Sequence, residues 1–292
     1  MKKLFMLLLT LTLVASCIGC GSKEENASDA ANVEAEAETG ADDAEQAEAE
    51  TEESDAAQAE TEAADETQAE DTADVKSEGV MTYDEYVAAD LETEVVVETY
   101  VQAKQSWWED KATLYTQDKD GAYFVYNVAC SEEDYEKLTP GTKIKVTGYK
   151  AEWSGEVEII DATFEIEEGN YIAEAEDVTA LLGSDELIDY QNRFVCFKGM
   201  TVEAAGQDES GNDVAFLYNW DGSGQDGDDL YFNVSLDGAT YTFTVESYLC
   251  DNTTDVYNAV KALNIGDKID MEGFLYWYEG VNPHITSVIP AN

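Results

Sequence analysis

The chain has 292 residues, a length typical of about two domains, and carries 65 Asp and Glu against 15 Lys and Arg, a formal charge of −50 at pH 7. This surplus of carboxylates argues against a protein that holds nucleic acid mainly by pairing Lys and Arg with phosphates. Its five cysteines, two of them within the first 20 residues, are too few for a scaffold held together by disulfides.

Residues 1–20 have the pattern of an export signal. Two lysines precede an apolar run over residues 4–14, which is shorter than the roughly 20 apolar residues that span a bilayer. The stretch VASC, which ends at Cys17, resembles the lipobox of bacterial lipoproteins, whose cysteine is acylated. That resemblance implies lipidation at Cys17, with Cys20 as the alternative, and anchoring to the outer face of the bacterial cytoplasmic membrane. An ordinary signal peptide with two incidental cysteines is the other interpretation.

Residues 21–79 form a low-complexity acidic linker. Between residues 23 and 78 the sequence has 22 acidic side chains and no aromatic residue, Leu or Ile. Such a segment cannot bury enough apolar surface to offset the entropy it would lose on ordering, so disorder is predicted. We interpret it as a solvated stalk; a docking tail for a basic partner or for cations is the alternative.

Residues 80–170 are predicted to form the first of two β-rich domains. MTYDEYVAA predicts a short helix that opens with a capping box. A strand over 94–102 precedes a hairpin with the turn Asp-Lys-Asp-Gly at 118–121, and SEEDYEKL is helix-like. Two further strands complete the domain, the second over 157–164.

Residues 171–292 repeat this order in a second domain. AEDVTALLG predicts a short helix, a strand spans 193–204, and an Asp-Gly turn at 237–238 joins two alternating strands. TTDVYNAVKAL is helix-like, and the strand GDKIDM that follows it matches GTKIKV of the first domain at a constant offset of 125 residues. A final strand is predicted over 285–289.

The repeated strand shows the period-two alternation of a half-buried strand. Ile144 and Val146 of the first domain correspond to Ile269 and Met271 of the second, and all four are predicted to point inward. A glycine follows in each copy, at positions 148 and 273, where it would weaken a regular strand. A bulge or tight bend is therefore predicted at each glycine.

Each domain thus has the order strand, strand, strand, helix, strand, strand, which resembles the OB-fold. The closing strand pair also resembles the small OB-fold domains of exported bacterial proteins. The resemblance implies a mostly β protein with two tandem five-stranded barrels, each with a helix between its third and fourth strands. A pair of small sandwiches is the alternative architecture.

The same resemblance implies where a ligand would bind. OB-folds use the face of strands two and three, with the loops that join strands 1–2 and 4–5. Aromatic residues are concentrated in those loops, and exposed aromatics can stack on bases, sugar rings or cations. The predicted ligand-binding residues are Trp107, Trp108, Tyr149, Trp153, Trp220, Tyr276, Trp277 and Tyr278. The alternative is that about half of them close the barrel ends as core.

The connection between strands 1 and 2 of the second domain, residues 206–229, is long and acidic. Its carboxylates have the oxygen density of a calcium site, although their spacing does not fit an EF-hand. The candidate ligands are Asp221, Asp226, Asp228 and Asp229. A solvated acidic loop is the alternative, and no other cofactor is expected.

No catalytic constellation is recognisable, and we expect a protein that is not an enzyme. The single histidine, His284, fits a packed or surface residue better than a ligand, and no nucleophile, zinc or phosphate-loop motif appears. Cys130, Cys196 and Cys250 are expected to be buried thiols. Pairing of Cys196 with Cys250 is left open.

The leading functional hypothesis is a cell-surface lipoprotein that binds an extracellular glycan, cation or protein without catalysis. The first alternative is single-stranded nucleic-acid binding, the common use of the fold, which would need a local basic patch. The candidate cations are Lys104, Lys111, Lys143, Lys145 and Lys150. The second alternative is a structural or scaffolding subunit of an envelope complex.

Overall fold

The computed structural model describes residues 76–291. The predicted signal region, both candidate lipidation cysteines and nearly all of the acidic linker lie outside the described residues, so those assignments stay predictions. Among the helices of the described part, none is long and apolar enough to cross a bilayer.

Barrel 1 is a closed five-stranded barrel preceded by a short helix. Its elements are α1 (Tyr83–Ala88), β1 (Glu94–Lys104), β2 (Lys111–Gln117), β3 (Ala122–Ala129), α2 (Glu132–Lys137), β4 (Thr142–Trp153) and β5 (Glu156–Asn170). The strands pair in the order β1-β2-β3-β5-β4, and β1 also pairs with β4, which closes the ring. β3 and β5 run parallel, and α2 lies in the connection between β3 and β4.

Alternating aliphatic side chains fill barrel 1. Val95 and Val97 of β1 and Ile144 and Val146 of β4 are all fully buried. Because successive side chains of a strand point to opposite faces, their neighbours in sequence, such as Lys145, stand on the outer surface. The predicted inward direction of Ile144 and Val146 is therefore confirmed.

Helix α1 is held at both ends. Thr82 accepts a hydrogen bond from the backbone N–H of Glu85, and the Glu85 side chain accepts one from Thr82, so the predicted capping box is present. At the other end, Nζ of Lys150 donates to the carbonyl oxygens of Tyr86, Val87 and Ala89 at 2.8–3.0 Å. The last carbonyls of a helix lack partners within it, and this buried lysine satisfies them.

Barrel 2 is also closed and carries extra strands at its edges. Its elements are β6 (Glu176–Asp177), two 3₁₀ turns (Thr179–Leu181 and Asp185–Tyr190), β7 (Phe194–Glu203), β8 (Gly206–Gln207), β9 (Asp213–Val214), β10 (Phe216–Tyr218), β11 (Leu230–Leu236), β12 (Ala239–Val245), α3 (Asp255–Lys261), β13 (Lys268–Phe274) and β14 (His284–Pro290). The sheet order is β10-β11-β12-β14-β13-β7-β6, and pairing of β11 with β7 closes the central five strands into a ring.

The predicted fold of two tandem five-stranded OB-fold-like barrels, each with a helix between its third and fourth strands, is confirmed. Both predicted bulges are also present, as register shifts beside Gly148 and Gly273. A Cβ on Gly148 would lie 2.7 Å from Cγ2 of Ile159, and one on Gly273 would overlap the carbonyl oxygen of His284. Glycine is required at both positions because a Cβ would clash mainly with side chains of β5 at Gly148 and with the backbone of β14 at Gly273.

The prediction of a helix over AEDVTALLG is only partly right. Residues Glu176 and Asp177 form β6, which pairs with β7, and only a 3₁₀ turn follows. The Asp177 side chain accepts hydrogen bonds from both the N–H and the hydroxyl of Thr179, which offers the backbone an alternative to a continuing helix. The three cysteines of the described residues are buried and free, so Cys196 and Cys250 do not pair.

An aromatic contact joins the two barrels. Tyr115 and Phe124 of barrel 1 and Phe274 of barrel 2 form one buried cluster, with Phe194 packed against it. The rings of Tyr115 and Phe274 stack with centroids 4.6 Å apart. We call this cluster the barrel joint. Its burial shows that the two barrels pack against each other through aromatic side chains.

Hydrogen bonds surround the barrel joint. Arg193 Nη2 donates to the carbonyl oxygen of Asp120 at 2.7 Å, and Gln191 donates from its side chain to the backbone of barrel 1. The buried carboxyl of Glu156, on β5, accepts a hydrogen bond from the backbone N–H of Trp277 at 2.9 Å. Burial raises the pKa of Glu156 to about 8, so this carboxyl is mostly protonated at neutral pH.

Candidate ligand-binding site

An open cleft lies between the barrels, above the barrel joint. We call it the central cleft, and its volume is about 690 Å³, within the usual range for small-molecule sites. Both barrels line it with aromatic side chains: Trp108, Phe124, Tyr126, Trp153, Trp220, Tyr231, Tyr248, Tyr276 and Tyr278. The two barrel mouths expected from the sequence therefore open into one shared cleft.

Tight turns hold several of these aromatics at the rim. Trp108 directly precedes Glu109 and Asp110, whose φ angles of 48° and 58° lie in the left-handed region. The backbones of Trp108 and Lys111 exchange two hydrogen bonds across this turn, as in a two-residue hairpin. A turn of this kind fixes the backbone, so Trp108 begins from a defined position at the rim of the cleft.

A second turn of the same kind holds Trp153. Its central residues, Ser154 and Gly155, have φ angles of 53° and 96°, and Trp153 pairs with Glu156 across them. The corresponding turn of barrel 2 follows Tyr278, and the N–H of Glu279 donates to the carbonyl oxygen of Ser154 at 2.7 Å. The rings of Trp153 and Tyr278 contact each other with centroids 5.1 Å apart. The two turns between strands 4 and 5 therefore meet and form one aromatic rim.

The aromatic faces of the cleft are open to solvent. Trp108 is 67% exposed, Trp153 54%, Trp220 76% and Tyr248 62%. Large apolar side chains seldom stay so exposed in a cluster unless they contact a partner. Flat rings that flank an open cleft suit a ligand that has rings of its own.

His284 forms part of the floor of the cleft. Its Nδ1 lies 2.7 Å from the hydroxyl oxygen of Tyr115, and its ring stacks on Tyr276 with centroids 4.2 Å apart. Burial lowers the pKa of His284 to about 3, so the imidazole is neutral at physiological pH. The packed role expected from the sequence fits these contacts, and the same residue also lines the cleft.

Polar groups in the cleft are mostly neutral or acidic. They are Gln105, Ser106, Lys111, Thr113, Asn127, Asp229, Glu246, Asn282 and His284. Burial, together with the nearby charge of Asp229, raises the pKa of Glu246 to about 7. Asp229 accepts hydrogen bonds from the N–H and hydroxyl of Ser247 at 2.8 and 2.6 Å. Amide, hydroxyl and carboxylate groups of this kind can hydrogen-bond to the hydroxyls of a ligand.

Five of the eight predicted ligand-binding residues line the central cleft: Trp108, Trp153, Trp220, Tyr276 and Tyr278. The structure does not bring the other three into it. Trp107 donates from Nε1 to the carbonyl oxygen of Cys130 at 2.9 Å, and Trp277 packs beside Gly155. Tyr149 is exposed on β4 outside the cleft, near Glu94.

Sequence reasoning missed Tyr126, Tyr231, Tyr248 and His284. Tyr126 follows Val125, which points into the core of barrel 1, on β3, and Tyr231 alternates with the buried Phe232 on β11. Their alternation could have indicated a position outside the barrel core. It could not show that the other barrel would complete a site there, because that depends on how the barrels pack.

The predicted calcium ligands are not brought together. Asp226 pairs with Lys261, Asp228 accepts from the N–H of Gln225, and Asp229 accepts from Ser247. Asp221 caps a turn by accepting from the N–H of Ser223. Across residues 76–291, no group of three or more His, Cys, Asp or Glu side chains is arranged to hold a metal ion. In the described structure these carboxylates hold turns and a lysine, which fits the alternative of an acidic loop.

The predicted basic patch does not form at the cleft either. Among the described residues that line it, Lys111 is the only Lys or Arg. Lys143 pairs with Glu98 and Glu167, and Lys104 donates to the carbonyl oxygen of Tyr135. Lys150 holds helix α1, as described above. Lys145 does not line the cleft either. Lys111 is therefore the one candidate cation that could contact a phosphate chain bound in the described cleft.

Comparisons with known proteins leave the family open. No family model matches the chain, and no curated protein matches it. The chain has a loose structural likeness to a murine DNA-binding protein bound to double-stranded DNA, with 12% identity and a TM-score of 0.31 over 68% of this chain and 96% of that one. It has a similar likeness to a HINa domain in complex with double-stranded DNA, with 11% identity and a TM-score of 0.31 over 69% of this chain and 97% of that one. A third likeness is to a replication protein A heterotrimer bound to single-stranded DNA, with 12% identity and a TM-score of 0.31 over 70% of this chain and 51% of that one. Overlaps this loose carry no argument about this chain's ligand, and the fold assignment rests on the strand pairing.

Proposed function

We propose that this chain is a non-catalytic binding protein that takes a neutral glycan in the central cleft. The observation that carries the proposal is the open aromatic rim of Trp108, Trp153 and Tyr278, placed by tight turns above polar groups that are mostly uncharged. Sugar rings present an apolar face that packs on indole and phenol rings, and their hydroxyls need hydrogen-bonding groups of the kind that the cleft offers.

Charge favours a neutral ligand over an anionic one. The part of the chain that the structure describes gives the cleft the carboxyl groups of Asp229 and Glu246 and a single lysine, Lys111. The surrounding part of the chain is also acidic, with 43 Asp and Glu against 11 Lys and Arg over residues 79–292. A ligand with phosphates or uronic acids would be repelled on approach and would find little counter-charge once bound.

Affinity electrophoresis of the full chain tests this proposal. Native gels would contain a β-1,4-glucan, a β-1,3-glucan, a xylan or a mannan, with polygalacturonate as the acidic comparison. We expect at least one neutral polysaccharide to retard the chain and polygalacturonate not to do so. Equal mobility in every neutral gel would refute glycan binding.

Two exposed aromatics of β4 provide a matched pair of variants. Trp153→Ala removes a ring from the rim of the cleft, whereas Tyr149→Ala removes one that lies outside it. We expect Trp153→Ala to lose the retardation and Tyr149→Ala to keep it. If both variants run as the unmodified chain does, the cleft is not the binding site.

The absence of catalysis is part of the proposal, and the carboxyl groups of Asp229 and Glu246 make it worth testing. Pairs of carboxyl groups hydrolyse glycosidic bonds when they flank the scissile linkage, and Glu246 has a raised pKa. We expect no reducing ends after prolonged incubation with the polysaccharide that binds. Release of reducing ends that Glu246→Gln abolishes would show instead that the protein is a glycoside hydrolase.

Single-stranded nucleic-acid binding is the second candidate. Trp108 and Tyr126 are exposed beside β2 and β3, the surface that OB-folds use, and aromatic rings of this kind can stack on any base. The electrostatics of the cleft oppose it. Titration of the full chain with labelled oligothymidylate at low and physiological salt decides between nucleic-acid binding and glycan binding. Saturable binding that weakens steeply with salt would replace the glycan proposal.

We further propose that the chain is exported and lipid-anchored at the bacterial cell surface, where it would meet extracellular glycans. The support is the signal-like residues 1–20 and the lipobox-like stretch that ends at Cys17. Metabolic labelling with an alkyne fatty acid tests this proposal, with Cys17→Ala and Cys20→Ala compared. Loss of label in one variant identifies the acylated cysteine, and an unlabelled parent chain would exclude the anchor.

A further inference from the structure

The central cleft continues into a second depression on barrel 2, which we call the side groove. The two share the lining residues Trp220, Tyr231, Tyr278 and Asn282. The side groove has a volume of about 330 Å³ and also includes Asn233 of β11 and Thr242 of β12. Because the two depressions have lining residues in common, a chain-like ligand that lies in the cleft can continue along the groove.

The chemistry of the side groove differs from that of the cleft. None of the nine described residues that line it is Asp, Glu, Lys or Arg, although 65 of the chain's 292 residues are Asp or Glu. Thr242 donates to the side-chain oxygen of Asn233 at 2.8 Å, and Asn233 donates to the carbonyl oxygen of Ala204 at 2.9 Å. A charged ligand group would lose its hydration there without gaining a counter-charge, so the groove suits a neutral occupant.

The long connection of barrel 2 builds one wall of the side groove. β10 pairs with β11, which brings Leu217 and Trp220 to the groove. In barrel 1 the corresponding connection is the short segment 105–110, between β1 and β2. The insertion therefore extends the cleft along barrel 2, to which all the described residues of the groove belong.

We propose that the cleft and the side groove form one binding track for a linear neutral polysaccharide, with separate subsites for successive sugar rings. This inference rests on the glycan-binding function proposed above. A short oligosaccharide fills only part of the track, whereas a longer one reaches both depressions. Affinity therefore rises with chain length, about tenfold for each further ring that stacks well on an aromatic side chain.

Calorimetry with the full chain tests the track. The probes are the disaccharide and the hexasaccharide of whichever neutral polysaccharide retards the chain, such as cellobiose and cellohexaose for the β-1,4-glucan. We expect the hexasaccharide to bind at least tenfold more tightly than the disaccharide. The variant Thr242→Arg places a bulky charge in the side groove, and we expect it to reduce the ratio between hexasaccharide and disaccharide affinity to less than about threefold.

Thr240→Arg is the matched control, because Thr240 is exposed on the same face of β12 but does not line the groove. It should bind the hexasaccharide as the unmodified chain does. Equal affinity for both probes would overturn the track and leave the glycan-binding cleft standing. A hexasaccharide advantage that survives in Thr242→Arg would exclude the side groove as its route. Failure of every neutral polysaccharide to retard the chain would overturn both proposals.

Discussion

Phe124 and Tyr126 lie two positions apart on β3, and their rings stack with centroids 6.4 Å apart. Phe124 is 3% exposed and belongs to the barrel joint, whereas Tyr126 is 45% exposed and faces the central cleft. The two side chains share a strand and are chemically similar. What separates them is whether barrel 2 covers the ring. The joint and the cleft are therefore one aromatic surface, which barrel 2 divides into a structural part and a part left open for a ligand.

The largest expected effect compares Tyr115 in the joint with Tyr126 in the cleft. Tyr115→Ala removes a fully buried ring and the hydroxyl partner of His284, so we expect the free energy of unfolding to fall by about 3–5 kcal/mol. Tyr126→Ala removes an exposed ring and should change it by at most about 0.5 kcal/mol. Denaturant unfolding measures both. Similar losses in the two variants would contradict the division into joint and cleft.

Adjacent tryptophans give a second and smaller contrast. Trp107 is partly buried and donates to the carbonyl oxygen of Cys130, so Trp107→Ala should cost about 2 kcal/mol of stability. Trp108 is exposed at the rim, so Trp108→Ala should leave stability within about 0.5 kcal/mol but weaken glycan binding about tenfold. Denaturant unfolding and affinity electrophoresis on both variants test this contrast. A stable Trp107→Ala variant that no longer binds would show that the roles are reversed.

The smallest expected effect is a pH dependence located at the joint. Burial raises the pKa of Glu156 to about 8, above that of the unfolded chain, so the folded protein binds a proton that the unfolded chain releases. The contribution of Glu156 to stability is therefore complete below about pH 4.5 and is lost as the pH rises through about 8. The side chain of Glu156→Gln stays neutral and can accept the hydrogen bond from Trp277. Between pH 6 and 9 we expect the melting temperature of this variant to fall by a few degrees less than that of the unmodified chain.

Glu152→Gln serves as the control for that measurement, because Glu152 is an exposed carboxylate on the neighbouring strand β4. It should leave the pH profile as it is in the unmodified chain. A Glu156→Gln variant with the unmodified profile would show that the carboxyl at the joint is not held protonated. Glu246, whose pKa is raised to about 7, titrates in the same direction and remains in both variants.

Local patterns in the sequence determined most of each barrel. The period-two alternation at Ile144 and Val146 indicated which side chains point inward, since a strand has only two faces. The Asp-Gly turn at 237–238 and the glycines at 148 and 273 identified a hairpin and the bulges, because these backbone conformations and close approaches exclude most other residues. The helix over AEDVTALLG was predicted less well, because pairing of β6 with β7 competes with a weak local preference.

Only the tertiary structure decided which aromatics belong to the site. Trp107 and Trp108 are neighbours of the same type, and no local pattern says that one packs beneath the turn while the other stands at the rim. Nor does the sequence show that Trp153 of barrel 1 meets Tyr278 of barrel 2. Strand alternation is a short-range property of the backbone, whereas the cleft depends on how two separately formed barrels dock through Tyr115 and Phe274.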